Sequence, residues 1–298
     1  MKKSVSLLLA GLMLCGALAG CGGNDSADAN NAAEGGDAAA SGTSGAITVI
    51  SREDGSGTRS AFVELTGVED DNGDNTTVDA EIANKTDVVL TSVAGNESSI
   101  GYVSLGSLND TVKAVKVDGV EATTDSVKSG DYKLSRPFNI ATKGEPTGVA
   151  KDFIEFILSA DGQAIVEEEG YIMVNDAAEA FTTDGSEGQI AVGGSSSVSP
   201  VMEKLIEAYQ AVNPKAKIEL QTSDSTSGMT GAIDGTFAIG MASRELKDEE
   251  KAELTGTSIA LDGIAVVVNP NNTVEDLTMD QIKSIYIGET TDWADVAA

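Results

Sequence analysis

Ser51-Arg52-Glu53-Asp54-Gly55-Ser56-Gly57-Thr58-Arg59-Ser60 follows the alternating apolar run Ile47 to Ile50 and leads into Ser60-Ala61-Phe62-Val63-Glu64-Leu65, which has helical spacing. The order is strand, glycine-broken loop, helix start. At such a junction the first N–H groups of the helix lack an intrahelical carbonyl and carry the positive end of the macrodipole, so they hold anions. Gly55 and Gly57 let the backbone approach a ligand, Ser56 and Thr58 add hydroxyl donors, and the planar fork of Arg52 suits two oxygens of an oxyanion. A Ser/Gly loop that only caps its helix has the same composition, so this stretch does not decide alone. Asp54 is the odd member: a carboxylate beside a bound anion repels it unless the ligand brings a proton to share. That points to a protonated oxyanion such as hydrogen phosphate and away from sulfate.

The arrangement recurs. Gln189-Ile190-Ala191-Val192 runs into Gly193-Gly194-Ser195-Ser196-Ser197-Val198-Ser199-Pro200, where Pro200 is the expected first helical residue and Ser199 its cap. Ile218-Glu219-Leu220 leads into Gln221-Thr222-Ser223-Asp224-Ser225-Thr226-Ser227-Gly228, and Phe237 to Ala242 is an apolar strand ending in Ser243-Arg244. Ligands of open α/β sheets sit at the carboxyl ends of strands, where loops meet helix starts. Two long extended segments, Tyr132 to Ala141 and Ile259 to Val268, serve as crossovers. The expected fold class is α/β, with two lobes hinged around a small anion.

The remaining segments supply the core. Val88 to Val93 and Ile100 to Leu105 read as strands, and Val112 to Val117 as a half-exposed strand. Val149, Phe153, Phe156 and Ile157 give a helical face in which both phenylalanines are core residues. Thr278-Met279-Asp280-Gln281 is a capping box, and Trp293 a packing anchor. Asp70-Asp71-Asn72-Gly73-Asp74-Asn75 lacks the spacing of a calcium loop and reads as a solvated acidic turn, so no metal is expected.

Met1-Lys2-Lys3 and the apolar run Ser4 to Ala19 read as a signal peptide, residues 1–20. Leu18-Ala19-Gly20-Cys21 resembles the lipobox of bacterial lipoproteins, in which Cys21 carries the lipid, including palmitate, on the extracytoplasmic face of the cell membrane. Residues 21–45, rich in Ala, Gly, Ser, Asn and Asp, cannot form a core and make a flexible tether. With Cys15 in the leader and Cys21 acylated, the mature fold has no thiol chemistry.

The formal charge is −29, and loss of Lys2 and Lys3 with the leader makes it two units more negative. Nucleic acid is excluded as a partner. The same charge opposes capture of an anion at long range, so the site must work through short, oriented donors. The chain contains no histidine, which removes the Ser-His-Asp triad, histidine metal sites and the commonest general base. There is no Gly-x-x-x-x-Gly-Lys-Ser/Thr motif either. No catalytic residue and no cofactor are expected; the chain reads as a binding protein, not an enzyme.

Arg52 to Arg59, Gly194 to Val198, Ser225 to Gly228 and Ile239 to Arg244 together resemble the phosphate-binding subunit, PstS type, of the bacterial phosphate ABC transporter, over nearly all of residues 46–296. The resemblance implies a two-lobed class II periplasmic-binding-protein fold that binds inorganic phosphate and delivers it, as a lipid-anchored monomer, to ABC transporter permease subunits. It implies phosphate contacts by Arg52, Asp54, Ser56, Gly57 and Thr58 from one lobe and by Ser197, Val198, Ser225 and Ser243 from the other. Some relatives have an acidic residue where this chain has Ser243, which leaves Asp54 as the proton acceptor. Other tetrahedral oxyanions, sulfate or molybdate, and a surface lipoprotein without a transport role are the alternatives. The order of the segments also departs from the family: the Ser195 loop follows the Arg52 loop instead of preceding it. The chain therefore resembles a circular permutant cut just before Ile47, with one lobe built from 46–135 plus 268–298 and a continuous second lobe from 136–267.

Overall fold

A computed structural model describes residues 43–296; the leader, Cys21 and nearly all of the tether lie outside the described residues. The first lobe begins with β1 (Thr48–Arg52), α1 (Gly57–Thr66), the hairpin β2 (Glu69–Asp70) and β3 (Gly73–Asp74), β4 (Glu81–Ala83), α2 (Thr86–Gly95) and β5 (Ser99–Ser104). Short pieces β6 (Lys113–Ala114), β7 (Lys116–Val117) and α3 (Thr124–Ser129) lead to the crossover β8 (Ser135–Thr142). The second lobe holds α4 (Gly148–Leu158), α5 (Ala160–Glu168), β9 (Gly188–Ser195), α6 (Ser199–Val212), β10 (Ala216–Ser223), α7 (Ser225–Asp234), β11 (Ile239–Ala242) and α8 (Asp248–Lys251). The chain returns through β12 (Thr255–Val268) and ends with β13 (Asp276–Leu277), α9 (Met279–Tyr286) and α10 (Trp293–Val296).

Strands follow the order β10-β9-β11-β8-β12-β5-β1-β4, with β6 also on β12. The two crossovers are partners of each other: β8 and β12 run antiparallel, from Thr142 opposite Thr255 to Ser135 opposite Gly263. Beyond Gly263, β12 leaves β8 and pairs with β5, Ile264 opposite Ser104. Ile259 and Ala260 lie in the second core with Phe138, Phe153, Phe156 and Tyr209, whereas Ile264, Val266 and Val268 lie in the first with Phe62, Tyr102, Tyr286 and Trp293. The lobe boundary expected at 267 thus falls between Ala260 and Ile264. The near-continuous apolar run suits a strand buried on both faces. At the changeover Arg136 and Asp262 are ladder partners, joined by Arg136 Nη2 to Asp262 Oδ2 at 2.9 Å, and both are almost fully buried.

Three expectations about local structure are corrected. Val88 to Val93 lies in helix α2, because Val89, Leu90 and Val93 share one face and pack with Ile50, Val103 and Ala265. Gly101 of β5 lets that helix sit on the strand: a Cβ there would lie 2.9 Å from both Val89 Cγ1 and Val93 Cγ2. Tertiary burial overrides the extended preference of β-branched residues. Val112 to Val117 is divided between β6 and β7, which pair with different strands, β12 and β13. Helix α6 starts at Ser199, so Val198 takes the cap position and Pro200 lies one residue further in.

The two ends of the described fold meet on the first lobe. Ala46 bridges Asp292, Ile47 N donates to Thr291 O at 2.8 Å, and Trp293 Nε1 donates to Ser98 O at 2.9 Å. Residues 177–187 form an irregular, mostly exposed connection in the second lobe. Asp152, buried in α4, holds it by accepting from Thr183 Oγ1 at 2.7 Å and Asp184 N at 2.9 Å, as well as from Tyr209 Oη at 2.8 Å. These donors satisfy a carboxylate that would otherwise be costly to bury.

Candidate anion site

The carboxyl end of β1 is fixed from beneath by an aromatic stack. Phe62 of α1 lies on Tyr102 of β5, ring centroids 4.0 Å apart and 11° from parallel. Tyr102 Oη accepts from Arg52 N at 3.1 Å and shares a hydrogen bond with Ser51 Oγ at 2.9 Å. Burial pushes the Tyr102 phenol up, which keeps it neutral.

Arg52, 2% exposed, uses one edge of its fork on its neighbour: Nε to Glu53 Oε2 at 2.8 Å and Nη2 to Glu53 Oε1 at 2.9 Å. The other edge faces hydroxyls, Nη2 to Ser196 Oγ at 3.1 Å across the cleft and Nη1 to Thr86 Oγ1 at 3.4 Å. Ser56 caps α1 by accepting from Arg59 N at 3.3 Å. Thr58 Oγ1 meets Ser197 Oγ at 2.8 Å, directly between the lobes. Ser195 Oγ donates to Ser243 Oγ at 2.9 Å, and Ser243 N donates to Ser225 Oγ at 3.1 Å. Gly57 faces this second-lobe cluster so closely that a Cβ would lie 2.4 Å from Ser225 Oγ and 2.8 Å from Ser243 Oγ.

Of the residues expected at the site, Arg52, Ser56, Gly57, Thr58, Ser197, Ser225 and Ser243 are therefore brought together and buried. Val198 is buried beside them, but its amide donates to Ser195 O at 3.1 Å. Asp54 does not join them. Its side chain is 99% exposed and accepts from Arg59 Nη1 at 3.0 Å; Arg59 also holds Asp74 through Nε at 2.7 Å and Arg52 O through Nη1 at 2.9 Å. The expected contact of Asp54 with the anion is corrected: this carboxylate braces the Arg52 loop from outside, and Glu53 is the one that meets Arg52. Spacing does not reveal which of two adjacent acids turns inward.

Three buried hydroxyls were not anticipated: Thr86, Ser195 and Ser196. Ser195 and Ser196 belong to the same serine run as Ser197. Thr86 is the first residue of α2, and its signal, a helix start, was hidden by reading the following valines as strand. The helix starts of α1, α2, α6 and α7 all meet here, so the donors are backed by the positive ends of helix dipoles.

A latch closes the rim. Thr226 of α7 gives Gly55 O two bonds, from its N at 3.1 Å and its Oγ1 at 3.2 Å, and Arg244 Nη2 donates to Thr226 Oγ1 at 3.3 Å. Arg244 is itself held by Glu250, Nη1 to Oε2 and Nη2 to Oε1, both 2.7 Å. Burial alone would raise the Glu250 carboxyl, but the Arg244 fork and the Lys247 amide outweigh it and hold the carboxyl below its ordinary range. Beside the site, a cavity of about 200 Å³ lined by Lys85, Thr86, Ser107, Ser196 and Thr222 opens between the lobes.

Two α/β lobes on paired crossover strands, closing over a set of oriented donors, define a binding protein of the PBP superfamily, whose domain profile matches residues 25–161 and 179–298. Within that class the chain belongs to the PstS family of phosphate-binding proteins. It is 53% identical over 262 residues to Phosphate-binding protein PstS 2 of Streptococcus agalactiae, which covers 86% of this chain and 89% of the relative. The crystal structure of the phosphate-binding protein of a phosphate ABC transporter from Streptococcus pneumoniae superposes with a TM-score of 0.69 at 44% identity, over 85% of this chain and all of that one. Phosphate-binding protein PstS of Bacillus subtilis is 36% identical over 134 residues, 44% of this chain and 42% of its own.

Proposed function

We propose that the protein captures inorganic phosphate between its lobes on the extracytoplasmic side of the membrane and delivers it to the permease subunits of an ABC importer, anchored by lipid on Cys21 and acting as a monomer. One observation carries the reading: a buried guanidinium edge and hydroxyls from both lobes converge on four helix starts. The hydroxyls now bond to one another, as Thr58 does to Ser197. A tetrahedral anion among them exchanges neutral bonds for charge-assisted ones, which are roughly twice as strong. Because the chain carries −29 overall, the attraction must come from these contacts and not from the distant field. Nothing in this set performs covalent chemistry, and the protein is a binder, not an enzyme.

The exchanged order of the two halves belongs to the same proposal. It is supported by the meeting of Ala46 with Asp292 on one lobe and by the exposed connection 177–187 on the other, since former termini lie at the surface and close together. The streptococcal relative aligns along nearly its whole length, and so shares this order, whereas the Bacillus relative aligns over about half.

Calorimetric titration tests the function. Phosphate is expected to bind one to one, with sulfate and molybdate weaker, and incubation with phosphate esters is expected to release no phosphate. Absence of phosphate binding, or tighter binding of sulfate, overturns the reading.

A further inference from the structure

The hydroxyl of Thr86 has a position unlike any other in the cluster. Thr86 is 4% exposed, belongs to the first lobe, and touches both sides of the cleft. Its Oγ1 lies 3.4 Å from Arg52 Nη1 on its own lobe and 3.3 Å from both Ser196 Oγ and Ser197 Oγ on the opposite one. Thr58 Oγ1, on the other flank of Ser197, is 2.8 Å from the same hydroxyl. Thr86 also lines the cavity that opens between the lobes beside Ser196. A hydroxyl rotates its proton to suit whichever acceptor is nearest, so this one can turn from serine oxygens to an anion without moving its side chain.

The residue is held there by packing. Helix α2 is seated on Gly101 through Val89 and Val93, whose Cγ atoms leave no room for a Cβ on that strand. The backbone that carries Thr86 is therefore fixed by the first core, and the β-branched side chain has few rotamers to choose from.

Resting on phosphate as the ligand, we infer that Thr86 is a direct contact of the bound anion: it donates its hydroxyl to the same oxygen edge that Arg52 and Ser197 grip, and it completes the first lobe's donor set with Arg52, Ser56 and Thr58. Its role is binding, not support of the closed shape. Hydrogen bonds to charged groups are the strong class, so removal of this donor costs phosphate affinity about tenfold or more.

The test compares the parent with Thr86→Val, which keeps the shape and deletes the hydroxyl, and with Thr86→Ser, which keeps the hydroxyl and deletes the methyl. Phosphate affinity is measured by calorimetry, the phosphorus-31 resonance of bound phosphate by NMR, and the unfolding midpoint without phosphate as a control. The expected result is a loss of about tenfold or more in Thr86→Val at an unchanged midpoint, rescue to within about threefold in Thr86→Ser, and a shifted resonance in any Thr86→Val that still binds. Affinity in Thr86→Val within twofold of the parent, or a loss shared equally by Thr86→Ser, overturns the inference. If Thr86→Val does not fold, Thr86→Ala is judged by the same two criteria. A parent that binds no phosphate is a separate outcome: it overturns the function proposed above.

Discussion

The two lobes bring different chemistry to the same small volume. The first lobe contributes the charge: Arg52, pinned through its backbone by Tyr102, through one edge of its fork by Glu53, and from outside by Arg59. The second contributes neutral donors: Ser195 to Ser197 and Ser225 where β9 and β10 lead into α6 and α7, and Ser243 at the end of β11. It has a buried guanidinium of its own, but Arg244 is turned to Glu250 and to the rim contact at Thr226. The difference shows how closure over an anion avoids desolvating a second charge. One lobe holds a fixed, already neutralised cation, and the other adds rotatable hydroxyls whose burial costs little when each finds a partner.

The division of labour is most directly broken at Gly57, where the first lobe's backbone touches the second lobe's hydroxyls. Gly57 is not among the residues with positive φ, so alanine fits the first lobe itself, while its Cβ would strike Ser225 and Ser243. Gly57→Ala is expected to lower phosphate affinity by about ten- to a hundredfold, the cost of overpacking a tight contact, measured by calorimetry. The unfolding midpoint without phosphate should change little. An affinity within twofold of the parent would show that the lobes need not approach this closely.

A smaller effect is expected at the latch. Thr226→Val removes the hydroxyl bonds to Gly55 O and from Arg244 and keeps the backbone bond, so affinity should fall by about two- to tenfold, mostly through faster dissociation. Stopped-flow release of phosphate checks this, and an unchanged dissociation rate would remove Thr226 from the closure.

The pH dependence of the second lobe's ion pair sharpens the contrast. Because the Glu250 carboxyl is held below its ordinary 4.5, its contribution to stability is fully present above about pH 4.5 and lost as pH falls through the folded value. The difference in unfolding midpoint between the parent and Glu250→Gln should therefore be constant from pH 5.5 to 8 and shrink below about 4.5. A difference that grew in acid would reverse the sign of the argument.

The smallest effect belongs to Asp54. As a fully exposed partner of Arg59 it contributes little to holding the loop, and Asp54→Asn should change phosphate affinity and the phosphate-to-sulfate ratio by less than about threefold. A collapse of that ratio in calorimetry would return Asp54 to the site.

What could be read from the sequence follows the same physics. The Arg52 loop, Ser197, Ser225 and Ser243 were legible because the same Gly- and Ser-rich strand end recurs along the chain, where one such loop alone would read as a helix cap, and the crossovers were legible as long extended segments. Thr86 was not, because a run of valines has the local preference of a strand and becomes a helix only through what it packs against. The inward turn of Glu53 and the outward turn of Asp54 were hidden for a related reason: the partner that draws Asp54 away, Arg59, also depends on Asp74 in a hairpin separated from the loop by all of α1. The changeover of β12 between cores is marked in the sequence by Asp262-Gly263, which interrupts the apolar run, but a lone polar pair does not show that the flanking residues enter different cores.

The pairing of β8 with β12 has a mechanical consequence. Strand β12 threads both cores, β8 runs beside it from the second, and Arg136 and Asp262 clasp the two strands at the changeover, so the lobes share one continuous element. Melting either one strips the ladder from the other and leaves a buried charge without its partner. The two cores are therefore expected to melt in one transition, and opening of the lobes to bend this two-stranded ribbon without a change of register.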